Sequence, residues 1–304
     1  MKSAFKITGF VISGSACLVM AWLMAGCATP PPVGYDPEIK APAEAAQAAF
    51  QRGEVARADA LYVEALARAR LTDNRDEIVR NAYNLALCKM ISGQLDDASN
   101  LLVQAGILAG GQGVMAARIL LAESETARLA GDGPASEQLA RQALTAGADR
   151  EGQVQAWLLQ GEAGFQAGQL KSALDSYRSA SKQITRDTPA VVRARLDDLA
   201  TALVQARLLP GSVARLQISR AEWLKKAGQY HDMVKALQAA ATALELESKW
   251  GEAFDCRIRA GQSLQASGEV KRALIEVRKA DELADKAGNV NNKTLAGILL
   301  NELK

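Results

Sequence analysis

Aromatic side chains make up only 5% of this 304-residue chain, and there is one histidine. That residue, His231, stands beside Asp232 with no second imidazole to share a zinc ion. Any Ser-His-Asp relay would have to be assembled around this single position. Cysteine is also sparse, at positions 17, 27, 88 and 256. The sequence offers no base assigned to activate the Cys88 thiol. Net charge is nearly absent: 36 basic residues face 34 acidic ones. Removing residues 1–26 takes away Lys2 and Lys6 and leaves 34 of each sign. A neutral chain of mixed charge lacks the basic footprint that nucleic acid selects. Eight prolines occur, five of them at 30, 31, 32, 37 and 42, so few remain to interrupt helices beyond that stretch.

Motifs of catalysis are missing as well. Gly110-Gly111-Gln112-Gly113 lacks the Lys-Ser/Thr ending of a phosphate loop and reads as a connection between two helical segments. The acidic pairs Asp96-Asp97 and Asp197-Asp198 are expected at helix starts or on solvated faces, where the helix dipole suffices to explain them. No cofactor, metal or small-molecule substrate is implied, and the chain is not read as an enzyme.

What the chain does have begins at its N-terminus. Lys2 and Lys6 precede an apolar run from Ile7 to Met24, followed by Ala25, Gly26 and Cys27, the pattern of a secretory signal. The run Met24-Ala25-Gly26-Cys27 resembles a bacterial lipobox, with Met24 where that family usually has Leu, Val or Ile. The resemblance implies cleavage before Cys27, its lipidation and, with Ala28 next, sorting to the outer membrane. The residues alone leave open an uncleaved anchor, because about 18 apolar residues can just span a bilayer. Cys17 lies mid-run and is read as inert. The prolines between Ala28 and Pro42 favour an extended spacer.

Beyond the spacer, six glycine-centred turns recur, each followed five residues later by a small or medium side chain. The pairs are Gly53/Ala58, Gly93/Ala98, Gly131/Ser136, Gly168/Ala173, Gly228/Met233 and Gly268/Ala273. Successive glycines are 40, 38, 37, 60 and 40 residues apart, a period that marks a helical repeat array. In the fourth unit Trp157 and Gly161 lie on one helix face, Gly168 makes the turn, and Ala173, Tyr177 and Ala180 form the stripe of the second helix. Weaker copies carry Ala46, Tyr62 and Ala65 in repeat one, Ala86 and Ala105 in repeat two, and Gly261 and Ala280 in repeat six. Repeat three (Ser124, Ala143) and repeat five (Ala221, Ala240) are degenerate.

This pattern resembles a tetratricopeptide repeat, in which two small residues let paired helices approach closely. It covers roughly residues 43 to 288 and implies an all-α solenoid of helix-turn-helix units. The period exceeds the family's usual 34, which predicts longer helices or longer loops. The 60-residue interval leaves room for an extra helix from Pro189 to Leu208, opened by Thr188-Pro189 and closed by Pro210-Gly211-Ser212. That helix is expected to divide the array. The full organisation reads as signal peptide 1–26, lipidated Cys27 and tether 27–42, repeats one to four over 43–187, extra helix 188–210, and repeats five and six with a capping helix over 211–304. Cys88 and Cys256 fall four repeats apart, at least about 30 Å at roughly 10 Å per helix layer, so two free buried thiols are expected.

The resemblance also places a partner-binding groove on the inner face of the first helices. Its candidates are Arg80, Tyr83, Asn84 and Leu87, then Arg118 and Glu125, then Gln155, Leu158, Glu162 and Phe165, then Arg215, Ile218, Glu222 and Lys225. Some family members grip a C-terminal carboxylate. Asn84 and Arg118 match two such positions, but Ala43 and Ala122 stand where cations are needed. The expected function is a membrane-anchored periplasmic scaffold for protein-protein interaction in an envelope assembly, secretion, pilus or cell-wall machine. The alternative is a regulatory subunit of a cell-wall synthase or hydrolase. Expected partners are other envelope proteins in the groove and the membrane through the lipid, with no nucleic acid.

Overall fold

The computed structural model describes residues 37–303. The expected leader, the lipid site at Cys27 and most of the tether lie outside those residues. The described chain runs through fourteen α-helices. They are α1 (Pro37–Gln51), α2 (Val55–Leu71), α3 (Arg75–Ile91), α4 (Leu95–Ala109), α5 (Val114–Leu129), α6 (Gly133–Ala146) and α7 (Arg150–Gln166). Next come α8 (Leu170–Gln183), α9 (Ala190–Gln205), α10 (Val213–Lys226), α11 (Tyr230–Leu246), α12 (Trp250–Ala266), α13 (Val270–Ala287) and α14 (Val290–Glu302). They divide into two compact units, with the boundary after Leu108. Among the described residues no helix is long and apolar enough to cross a membrane.

The 40-residue period is accounted for by helix length. Helices α2 and α3 are 17 residues each, with turns of three residues, so the excess over 34 lies in the helices rather than the loops. Each turn closes in the same way. At Gly168 (φ +73) the chain enters the left-handed region, and Gln169 N–H donates to the Gly164 carbonyl at 2.8 Å. This six-to-one bond satisfies a carbonyl that the ending helix would otherwise leave unpaired. The other five predicted glycines have positive φ as well. Two connections between repeats repeat the geometry without glycine, at Asp73 (φ 49) and Ser248 (φ 58). Asn74 and Lys249 N–H donate to the Ala69 and Leu244 carbonyls there.

Small residues let the paired helices close up. A Cβ on Gly161 would stand 2.6 Å from Leu199 Cδ2 and 3.6 Å from the Ala173 carbonyl oxygen. Helix α8 thus passes within contact of the α7 backbone, and Leu199 of α9 reaches the same point. In repeat three the small pair is polar. Ser124 Oγ donates to the Ser136 carbonyl at 2.7 Å, and both side chains are fully buried, so a hydrogen bond replaces the Gly-Ala contact. Repeat three is degenerate in residue type but keeps the same approach.

Several expectations need correction. Residues 37–42, read as tether, are the start of α1, and Pro42 is buried one turn before Ala46 on the same stripe. Pro42 lies inside α1 and forgoes one intrahelical bond, and the helix continues through it, so the five-proline composition overstates the extended stretch. The extra helix exists as α9, but Pro189 is its N-cap rather than its first helical residue. The Thr188 hydroxyl instead accepts from Thr185 N–H at 2.9 Å. Nor does α9 divide the array: it packs on α7, α8 and α10 inside the second unit. The unit boundary falls beside Gly110-Gly111-Gln112-Gly113, whose three glycines all have positive φ. The capping helix starts at Val290, where the Asn289 side chain caps it by accepting from Asn292 N–H.

In the second unit a continuous apolar core runs from α9 to α14, built on Leu224, Leu237, Leu244, Phe254, Leu264 and Val277. The first unit is alanine-rich inside, with Ala46, Ala58, Ala65, Ala86, Ala98 and Ala105 fully buried beside Leu102 and Tyr62. Close backbone approach there does what large aromatic residues do elsewhere.

Candidate functional site

The fourteen groove candidates separate into three groups. Leu87 and Leu158 are core residues, 4% and 0% exposed, and offer nothing to a partner. Gln155 is buried too, its Nε2 donating to Glu151 Oε1 at 3.5 Å. These three are corrections. Helical spacing gives the residues that share a face, but the rotation of a helix against its neighbours decides how much of that face is covered. Ile218 is half-buried and packs against the α9–α14 core.

Among the described residues the second group holds half-buried or exposed side chains: Arg80, Tyr83, Asn84, Arg118, Phe165, Arg215, Glu222 and Lys225. Most of their charges are already engaged. Arg80 pairs with Glu77 at 3.2 Å. Arg118 on α5 reaches Asp149 at 3.3 Å, and Asp149 also caps α7 by accepting from Gly152 N–H at 2.8 Å. Glu222 on α10 is bound by Arg259 on α12. Surface pairs of this kind contribute little to stability, yet they decide which charges are free to meet a ligand.

The third group is the most built part of the face. Glu125 (α5) and Glu162 (α7), both anticipated, are brought together by two arginines that the groove reading missed, Arg128 (α5) and Arg195 (α9). Arg128 binds Glu125 through both Nε (3.0 Å) and Nη2 (2.6 Å) and comes within 3.9 Å of Glu162. Arg195 donates from Nε to Glu162 at 3.0 Å, also binds Glu162 through Nη2, and reaches Glu125 at 3.4 Å. The Glu125 side chain is 2% exposed. Burial by itself would push its carboxyl up. The attraction of Arg195 and Arg128 outweighs that, and the carboxyl lies below its ordinary value. Burial likewise disfavours the charged Arg195, but Glu125 and Glu162 reverse the sign and raise it. Both shifts favour the charged forms of Glu125 and Arg195, and the cluster joins two acidic to two basic side chains. The sequence signal for Arg195 was weak, since α9 lies outside the repeat pattern and none of the repeat positions points to it.

The Asp197-Asp198 pair is a further correction. The two residues sit in the middle of α9 and are partly buried, neither at a helix start nor on a solvated face. Asp197 accepts from the Ser219 hydroxyl at 2.7 Å, and Asp198 pairs with Arg220 at 3.2 Å. Burial raises both carboxyls above their ordinary values despite those partners. Packing of α10 on α9 covers them, which the sequence of α9 alone could not show. Beside them Trp223 lies between Arg193 and Lys226, whose charges stand 4.5 Å and 4.2 Å from the ring centre.

Cys88 and Cys256 are free and buried. Burial pushes the Cys88 thiol up to about 12, so it is no nucleophile. His231 is exposed in the first turn of α11. Among the described residues no group of three or more His, Cys, Asp or Glu side chains could hold a metal ion. An open apolar hollow near the face lies in the first unit, between Ile78 and Ala82 of α3 and Ala105, Ile107 and Leu108 of α4, with Arg70 and Gln104 at its rim.

These paired helices, their repeated left-handed turns and the small-residue contacts define a TPR-like all-helical repeat protein. No protein-family model matches the chain, and no curated protein does. Solved structures similar to it include the apo form of RapI, 14% identical over 86% of this chain and 80% of that one, with a TM-score of 0.46. A tetratricopeptide repeat protein from Parabacteroides merdae ATCC 43184 is 14% identical over 88% of this chain and 99% of that one, with a TM-score of 0.43. The TPR2AB domain of yeast Sti1 in complex with pHSP90 is 16% identical over 75% and 99%, with a TM-score of 0.35. The repeat class rests on this chain's own turns and contacts.

Proposed function

We propose that this chain is a lipid-anchored scaffold of the bacterial envelope, held at the periplasmic face of the outer membrane by Cys27 and presenting its first-helix faces to other envelope proteins. The observation that carries the reading is the pairing of one N-terminal pattern with one architecture. Met24-Ala25-Gly26-Cys27 ends a signal-like segment, and an array of helical hairpins occupies the chain beyond it. Arrays of this kind expose long faces and use them for binding macromolecules. An anchor confines such a face to a thin layer and raises the effective concentration of a partner held in the same layer.

The side chains support a partner recognised by shape and by polar or aromatic contact rather than by a strong field. The face is rich in arginine, but Arg80, Arg118, Arg128 and Arg195 each have an acidic neighbour. A carboxylate ligand would have to displace a built ion pair at any of these four.

Two experiments test the proposal. Cys27→Ser should abolish incorporation of radiolabelled palmitate and release the chain from the membrane fraction; unchanged labelling rejects the anchor. Crosslinking and affinity capture of the full-length protein from its own envelope should recover a stoichiometric envelope protein; loss of that partner on replacing Tyr83 would assign it to the first unit's face, and loss on replacing Phe165 and Arg118 together would assign it to the second unit's face. Recovery of a cell-wall synthase or hydrolase whose turnover changes on adding the chain would favour the regulatory role over the scaffold.

A further inference from the structure

Helical arrays are held by contacts between neighbours, each repeat touching only the next. Arg195 breaks that rule. It lies on α9, its first carboxylate partner Glu162 is on the adjacent α7, and its second, Glu125, is on α5, seventy residues away and beyond α7. Both α5 and α9 pack on α7. At about 9 Å between axes, three helices in a flat row would set α5 and α9 about 18 Å apart. On the inner side of a bent row the outer helices converge, and a side chain can then cross over the middle one. Arg195 meets Glu125 at 3.4 Å, so the bridge lies on that inner side.

We infer that Arg195 is a clamp that sets the bend of the α5–α7–α9 stack, with Glu125 and Glu162 as its two anchor points and Arg128 holding Glu125 in place. Three features carry this role. The guanidinium is planar and takes a separate carboxylate on each side, which a lysine could not do with fixed geometry. Glu125 is held in position by two bonds from Arg128, at 3.0 and 2.6 Å, so its carboxylate is presented to α9 and is not free to rotate away. Gly161, next to Glu162 on α7, lies against Leu199, one turn from Arg195 on α9, so a small, close contact and the polar bridge together join α7 to α9. The clamp is independent of whether the chain is an envelope scaffold. It fixes the width of this stretch of the first-helix face for any partner.

The test is a distance measurement within the second unit of the full chain. Spin labels carried on a ketone-bearing residue at Gln138 (α6) and Lys225 (α10), both exposed, leave the native cysteines untouched. In Arg195→Met the distance between labels should lengthen on the order of 2 Å or more, the scale of helix shifts at packed interfaces, with a broader distribution. The paired variant Glu125→Leu with Arg195→Met removes the bridge but leaves the charges balanced, since Arg128 and Glu162 remain as a pair. It should show the same lengthening. Lengthening in both variants supports the clamp. A distribution like the parent's in the paired variant overturns it, even if Arg195→Met alone shifts, because the single variant's change would then come from unbalanced charge. Where circular dichroism shows that neither folds, Arg195→Lys decides. It keeps the charge and loses the two-sided fork, so its distribution must broaden for the clamp to stand.

Discussion

Replacing Glu125 by Gln removes one of two carboxylates from a buried set of four charges and leaves two arginines facing a single acid. The geometry gives the size of the effect. Glu125 accepts two bonds from Arg128, at 3.0 and 2.6 Å, and lies 3.4 Å from Arg195, all under little solvent. Breaking a buried pair from one side costs about 3–5 kcal/mol, because the remaining charge stays buried without compensation. For a cooperative unit of about 200 residues this corresponds to a fall in Tm of roughly 6–20 °C. Arg195→Met should cost a similar amount with the opposite excess charge. The paired variant Glu125→Leu with Arg195→Met restores neutrality and adds apolar volume, so it should be less destabilised than the two single losses added together, with a coupling of about 1–3 kcal/mol. Urea unfolding followed by tryptophan fluorescence is the assay. In a chain that starts at residue 37, the tryptophans are Trp157, Trp223 and Trp250, all in the second unit, so the signal reports that unit alone. A loss below about 1 kcal/mol for Glu125→Gln, the value of an exposed pair, would refute the buried-cluster reasoning. Strict additivity in the paired variant would refute the coupling.

Stability should depend on pH with two opposite signs at neighbouring sites. The Glu125 carboxyl lies below its unfolded value, so its contribution is present above that value and is lost as pH falls through the folded one; the deficit of Glu125→Gln should shrink in acid. Asp198 is raised by burial, so ionising it costs stability as pH climbs from its unfolded value through its folded one, and Asp198→Asn should gain on the parent across that window when both are titrated by urea unfolding. Gly168→Ala, at φ +73 with open space around it, should cost about 1 kcal/mol from backbone conformation alone, whereas Ser248→Gly, at φ 58, should be neutral or slightly stabilising; equal losses in thermal melts would discard the turn argument. Cys88 should stay unreactive toward thiol reagents at neutral pH in the native chain and react fully in urea, because burial holds its thiol up at about 12; rapid native labelling would contradict its placement.

The repeat was legible because its signals are local. A left-handed turn needs glycine or a tolerant residue, and a close helix pair needs small side chains at fixed offsets, so Gly168, Ala173 and Gly161 announce themselves in one dimension. The turns at Asp73 and Ser248 gave no such notice, since neither residue marks a left-handed turn as glycine does, although the same local six-to-one bond closes both. Pro42 shares a buried stripe with Ala46, which the packing of α1 decides and a run of nearby prolines does not.

By itself the sequence determined that the chain is helical and repeating, where most turns fall, and that a signal-like segment ends in Met24-Ala25-Gly26-Cys27, because these depend on residues close together along the chain. Only the tertiary structure decided which of the groove candidates are covered, that Asp197 and Asp198 are enclosed by α10, and that Arg195 closes on Glu125 across α7. Those outcomes rest on helix rotation and on the bend of a stack, which sum the packing of many side chains and leave no mark at any single position.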